Sequence, residues 1–244
     1  MDPNATGVMI VLFDKATKAN QFLVSDKKEY LARVKLGIET DTLDIDGNII
    51  KEGSFSMPEK DKIEEVLNSF LGLSMQEVPI TSAVSVNGKR LYKYQLEGKE
   101  VELPVREIEI SSIELKEIYD DGFSFSAVVS SGTYIRALVR DILKKLDLIG
   151  TLSELERSAV DQIRIEDCDR LEDIIEGHYK THDLYELLKE RYEVIEDFDE
   201  KDVLNGKKMI LNSDSDKVLL AKNHEVLAIY EKDNDIYRCV RGLW

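Results

Sequence analysis

The side chains able to do chemistry in this sequence fall in a few places. Asp2, followed at once by Pro3, offers a carboxylate that can act as nucleophile, base or ion-pair partner. Asp before Pro also commonly starts turns, so the pair alone does not choose. Arg136 is the most telling residue on physical grounds. It comes just after Gly132-Thr133-Tyr134, at the head of a stretch in which Ile135, Leu138, Val139, Ile142, Leu143 and Leu146 form a helical stripe that skips it. A cation near a helix N-terminus opposes the macrodipole. Such an arginine is expected to be held by a carboxylate. Tyr30 shares a strand face with Ala32, Val34 and Leu36; it reads either as a core tyrosine or as a platform for an unstacked base, a contact of roughly 1–3 kcal/mol. Asp41 and Asp44, in TDTLD, have the composition of a metal site and equally that of a hydrogen-bonded turn. Lys89, Arg90, Lys93 and Lys99, interleaved with Tyr92 and Tyr94, suit contact with RNA, against the plainer reading of a solvated face.

Periodicity gives the strands and helices that carry these residues. Residues 7–13 read as a buried strand, and residues 30–36 alternate as a half-buried strand ending at Gly37. Over 59–71, Ile63, Val66, Leu67, Phe70 and Leu71 give the clearest helix, with Ser56 and Glu59 as a capping box and Gly72 as the stop. From 79 to 106 the period is lost, which marks a long excursion from the core. Strands are expected near 107–118 and 123–130, joined by Asp120-Asp121-Gly122. The helix carrying Arg136 comes next, and weaker helices are expected at 153–158, 169–176 and 183–191. Beyond about residue 193, short apolar runs separated by turn signals predict a small β-barrel or sandwich. The domain boundary is placed between 180 and 195.

Composition sets the limits. The 244 residues are 43% hydrophobic and 34% charged, enough for a sizeable core and unlike a disordered chain. No apolar run approaches the ~20 residues of a membrane span, and the opening MDPNATG has no basic leader pattern. Cys168 and Cys239 stand far apart and His178, His182 and His224 are scattered, so no structural zinc site is expected and a reducing compartment fits. Lys plus Arg (33) against Asp plus Glu (49) gives a net charge of −16. That argues against a protein that coats nucleic acid nonspecifically, but not against one with a local basic patch. Much of the acid lies in 166–176 and 183–202, as solvated surface.

Four patterns occur in a fixed order: MDPNATGVM with Ala16-Thr17-Lys18, KEYLARVKLGIETDTLDIDG at 28–47, SAVSVNGKRLYKY at 82–94, and SSGTYIRALVRDI at 130–142. Together they resemble the TruB family of tRNA pseudouridine synthases, and the β-rich tail resembles the PUA-type RNA-binding domain of many members. The resemblance implies an α+β fold: a catalytic domain over 1–190 around a mostly antiparallel sheet, and a small PUA-like β domain over 191–244. It makes the excursion at 79–106 a thumb that grips RNA. The implied activity is isomerisation of uridine to pseudouridine at position 55 of the tRNA T arm. The implied setting is cytoplasmic, with the T-arm stem-loop as partner, no membrane, no obligate protein partner, a monomer, and no cofactor or metal. Asp2 takes the place of the nucleophilic Asp, Tyr30 that of the active-site tyrosine, and Arg136 that of the arginine paired with the Asp. Tyr134, Leu155 and Arg157 fall where the family lines the uridine pocket and contacts RNA; Lys18, Lys89, Arg90 and Lys93 complete the substrate-binding set. The chemistry suits these types: breaking and remaking a glycosidic bond calls for a carboxylate at the sugar, and the base must leave its stack into a pocket.

The sequence also departs from the pattern. The family's opening strand, K-P-x-G-x-T-S turn, helix and G-H-x-G-T segment have no counterpart before Asp2. Ser85 stands where a Lys is usual, Glu156 where an Arg is, and Gln95-Leu96 where Ala-Arg is; the three lost cations would weaken phosphate contact. The runner-up expectation is therefore a truncated homologue that binds or remodels tRNA without catalysis.

Overall fold

The computed structural model describes residues 4–23 and 27–244. In chain order, β1 (Thr6–Gly7) leads through a 3₁₀ turn (Asp14–Ala19) to α1 (Asn20–Leu23), then β2 (Lys27–Leu36), β3 (Ile38–Thr40) and β4 (Ile49–Glu52). Next come α2 (Lys60–Asn68) and β5 (Gly72–Glu77), then the excursion with β6 (Ser85–Val86), β7 (Lys89–Arg90) and α3 (Leu91–Leu96). The long hairpin β8 (Val105–Tyr119) and β9 (Gly122–Ser130) precedes α4 (Ile135–Leu146), β10 (Gly150–Val160) and β11 (Ile163–Arg164). The remainder is α5 (Leu171–Ile175), α6 (Leu184–Lys189), β12 (Glu193–Ile195), α7 (Glu200–Leu204), β13 (Lys217–Lys222), β14 (Glu225–Asp233) and β15 (Ile236–Gly242).

The chain forms two compact units, Met1–Val8 with Asp26–Cys168, and Met9–Ser25 with Asp169–Trp244. The first holds a sheet of order β1-β10-β2-β9-β8-β5, with β11 added to β10. Among the described residues every pairing in it is antiparallel except β1 with β10. Alternation in β2 turns Ala32, Val34 and Leu36 inward, where Phe123, Phe125, Ala127 and Val129 of β9 join them. Onto this face α4 lays Ile135, Leu138, Val139, Ile142 and Leu143, and α2 lays Ile63, Val66 and Leu67. Truncating one such fully buried residue, as in Leu138→Ala, costs about 2–5 kcal/mol, so the sheet–helix contact fixes the N-terminus of α4 firmly over β2 and β10.

Several expectations are corrected. The apolar run at 7–13 is not a buried strand: β1 ends at Gly7, and Met9, Val11 and Phe13 are 66%, 60% and 62% exposed. Gly7 sits at φ +106°, and a Cβ there would lie 2.2 Å from the Arg157 carbonyl oxygen, so the chain grazes β10 and then departs. Residues 153–158 are not a helix but the middle of β10. Helix-forming residues there are overridden by pairing on both sides, and register shifts between Leu152 and Glu154 and between Arg157 and Ala159 hide the alternation. The N-cap of α2 is Glu59, with no side-chain cap bond.

The boundary also falls earlier than residue 190. Leu188 of α6 is buried with Ala19, Phe22, Leu23 and Leu219, so 169–190 and 9–25 belong with the second unit. That unit is a four-stranded sheet, β12-β13-β14-β15, rather than a barrel. Val218 to Ala221 is apolar throughout because alternate residues enter two different cores: Leu219 and Ala221 meet Phe22 and Leu188, while Val218 and Leu220 meet Val203 and Tyr230. Among the described residues no helix is long and apolar enough to cross a membrane.

Candidate active site

Tyr30, Tyr134, Arg136 and Leu155 line one cleft of about 540 Å³ in the first unit, together with Thr81, Ser82, Ala83, Tyr92, Thr133 and Ile135. The sheet register brings the first of these together. Tyr30 stands opposite Arg157, and Ala32 opposite Leu155, across β2 and β10. Tyr134 is the N-cap of α4, with extended backbone, and Arg136 lies in the helix's first turn.

Arg136 is only 6% exposed. Its Nη1 donates to the Thr42 carbonyl at 3.0 Å and its Nη2 to the Thr81 carbonyl at 2.9 Å. A buried guanidinium must be hydrogen-bonded to be tolerated, and these carbonyls come from two separate segments. The first is the TDTLD turn. Asp41 shapes it by accepting from the Asn48 amide at 2.9 Å and from Asn48 Nδ2 at 3.0 Å. Gly47 is required where the turn closes, since a Cβ would lie 2.3 Å from Thr42 Oγ1. Thr40 and Thr151 tie it to β10 through buried hydroxyls 3.1 Å apart. The second segment is the root of the excursion, where Thr81 Oγ1 donates to Gln95 Oε1 at 2.8 Å and Gln95 Nε2 donates back to the Asp41 carbonyl at 3.3 Å.

Two positioning groups carry no signal in the sequence pattern. Gln76 of β5, 3% exposed, grips the Tyr134 backbone at both ends: Tyr134 N donates to Oε1 at 2.8 Å, and Nε2 donates to the Tyr134 carbonyl at 3.2 Å. Gln95, which in the sequence only departs from the family's usual Ala, bridges the two segments that hold Arg136.

The remaining candidates are placed differently. Asp2 lies outside the described residues. Arg157 is not in the cleft wall: its guanidinium donates from Nε and Nη2 to the Val8 carbonyl, pinning the segment that comes after Asp2. Lys18 belongs to the second unit, where its Nζ donates to the Trp244 carbonyl. In the excursion, Lys89 pairs with Glu97, as does Lys99, and lies over the Tyr94 ring at 4.7 Å. Hydrogen bonds from Lys89 and Lys99 pull the Glu97 carboxyl down to about 2. Arg90 donates to the Ala83 carbonyl at the cleft's rim, and Lys93 is exposed on α3. Among the described residues no cluster of His, Cys, Asp and Glu is arranged to hold a metal.

Chemically, the cleft offers a space lined by three tyrosines (Tyr30, Tyr92 and Tyr134), Leu155 and the hydrogen-bonded guanidinium of Arg136. Comparison with known proteins gives a consistent picture. Residues 1–135 match the model of the TruB family pseudouridylate synthase N-terminal domain. The chain is 34% identical to tRNA pseudouridine synthase B of Mesoplasma florum, covering 99% of this chain and 85% of that one. It is 36% identical to the enzyme of the same name from Lactobacillus acidophilus, covering 98% and 84%. Among solved structures it is similar in fold to a chain of a Cbf5-Nop10-Gar1 complex, with TM-score 0.68, 21% identity, and coverage of 100% of this chain and 74% of that one. A chain of an H/ACA RNP bound to a substrate RNA containing 2′-deoxyuridine gives TM-score 0.66 at 19% identity, covering 100% and 74%.

Proposed function

This chain belongs to the TruB family of pseudouridylate synthases, and we propose that it converts a uridine of tRNA into pseudouridine. The observation that carries the reading is the convergence of Tyr30, Tyr134, Leu155 and Arg136 on one cleft. The target uridine leaves its stack, at a cost of a few kcal/mol, and its base enters between Tyr30 and Leu155. Asp2 supplies the carboxylate that attacks or stabilises the sugar as the N-glycosidic bond breaks.

Support for Asp2 comes from the path of the next few residues. Thr6 pairs with Glu156, the neighbour of Leu155, and Val8 N donates to the Arg157 carbonyl at 2.9 Å. The chain thus pairs with β10, the strand that carries Leu155, only a few residues after Asp2. Arg136, already anchored to Thr42 and Thr81, orients that carboxylate and keeps it ionised. Arg157 holds the Val8 segment through its guanidinium. No redox step, nucleotide or metal enters this chemistry, since the reaction is an isomerisation.

The finer reading is that the target is the uridine at position 55 of the T arm, gripped by the excursion at 79–106, with the protein acting as a monomer in the cytoplasm. Mapping pseudouridine in an unmodified tRNA transcript by carbodiimide adducts and primer extension tests it. The expected result is one stop, at the T-arm uridine, lost when that uridine is replaced by cytidine. Modification elsewhere with none in the T arm contradicts the target.

A further inference from the structure

Ser82 lines the cleft but has no part in the chemistry assigned to Asp2, Tyr30 and Arg136. The residue is 6% exposed, its Oγ is closed to solvent, and among the described residues that hydroxyl has no hydrogen-bond partner. Folded proteins rarely leave a buried hydroxyl unsatisfied, because the group has given up water without compensation. Looseness of the segment does not explain it. The carbonyls of Thr81, Ser82, Ala83 and Val84 accept in turn from Arg136 Nη2, the Tyr92 amide, Arg90 Nη1 and the Leu91 amide. The backbone is therefore held from several sides while one hydroxyl is left over, on the wall shared with Tyr30, Tyr134 and Arg136. Serine has a single χ1 rotor with three staggered wells, so presenting the hydroxyl to a bound group needs no backbone movement.

We propose that the Ser82 hydroxyl donates a hydrogen bond to a carbonyl oxygen of the detached uracil and holds the base by that edge while it turns. This assignment rests on the reading of the cleft as the uridine site. The chemistry of the turn explains why one donor serves both halves of the reaction. The N1–C1′ bond breaks and the C5–C1′ bond forms; C5 loses its proton to water and N1 gains one, so atoms and electrons balance without a co-reactant. Bringing C5 to where N1 stood rotates the ring about the line joining C6 and N3. N3 keeps its place, and O2 and O4 exchange places. A donor beside that edge meets a carbonyl oxygen before the turn and another after it.

The test compares the parent protein with Ser82→Ala. The substitution removes the hydroxyl and its unsatisfied state together, so the thermal unfolding midpoint is expected to stay or rise. Single-turnover pseudouridine formation at saturating protein should fall at least about tenfold, with tRNA affinity little changed. Hairpin RNAs carrying 2-thiouridine or 4-thiouridine at the target weaken one acceptor each. The parent should slow on at least one of them, and Ser82→Ala should show no additional slowing from the same sulfur. A parent-like rate in Ser82→Ala, or the same thio penalty in both proteins, overturns the assignment. A parent that binds tRNA and forms no pseudouridine overturns the reading of the cleft as well, and the unmodified RNA alone reveals that outcome.

Discussion

Arg136 joins three parts of the molecule that are remote in sequence: the first turn of α4, the TDTLD turn and the root of the excursion. Its place at a helix start was legible as an electrostatic oddity, and from it came the expectation of a carboxylate partner. The sequence could not reveal that the carbonyls of Thr42 and Thr81 are among its partners, because carbonyl acceptors leave no mark on residue type. The structure sharpens the consequence. An ammonium is a point charge and cannot reach both carbonyls in the guanidinium's planar geometry. Arg136→Lys is therefore expected to lower the single-turnover rate by about a hundredfold, the scale of loss from a small misplacement of a reacting group, with the tRNA dissociation constant nearly unchanged. If the rate stays intact while the dissociation constant rises, Arg136 is an RNA anchor.

At the scale of elements, the excursion shows what a charge pattern conveys and what it conceals. Its basic and aromatic mixture was plain, but its internal pairing was not. Lys89 and Lys99 share Glu97, and Arg90 is tied to the Ala83 carbonyl next to Ser82. With the Glu97 carboxyl lowered to about 2, the pairing is complete above the ordinary carboxylate range and is lost only as pH falls through that value. Changing Lys89 and Lys93 together to Ala should weaken tRNA binding and reduce the slope of log affinity against log salt by about one to two, at roughly 0.7–0.9 per phosphate contact. An unchanged slope would return this surface to ordinary solvation. Arg90→Ala should lower the rate as well, because it releases the backbone beside the cleft.

Other elements were legible in proportion to how much of their period survives. The stripe of α4 and the alternation of β2 were intact, and so were those elements, whereas α2 stops at Asn68 and leaves Phe70 and Leu71 of its expected stripe beyond it. In β10 two register shifts break the alternation, and SELERS then reads as helix by propensity. In residues 9–13 apolar composition suggested burial, yet the run serves as a crossover between units, where only part of it is covered.

For the molecule as a whole, the −16 charge and the cleft have to be reconciled. The acidic stretches 166–176 and 183–202 lie mostly in the second unit, yet the first unit is itself acidic, with 29 Asp and Glu against 19 Lys and Arg, so the basic surface available to RNA is local. The first unit keeps Arg136 and the cations of the excursion. The division between units was only partly visible beforehand, because Phe22 and Leu23 join Leu188 and Leu219 across more than half the chain, a contact that periodicity does not encode. Both the family membership and the cleft geometry lead to one claim, that a uridine is isomerised among Tyr30, Tyr134, Leu155 and Arg136. The most direct measurement is tritium release from a tRNA transcript labelled at C5 of uridine, with the protein and its Asp2→Asn variant side by side. The account predicts release approaching one tritium per tRNA with the parent, and none with Asp2→Asn despite retained tRNA binding. Binding without release by the parent, or release by Asp2→Asn within about tenfold of the parent rate, would contradict it.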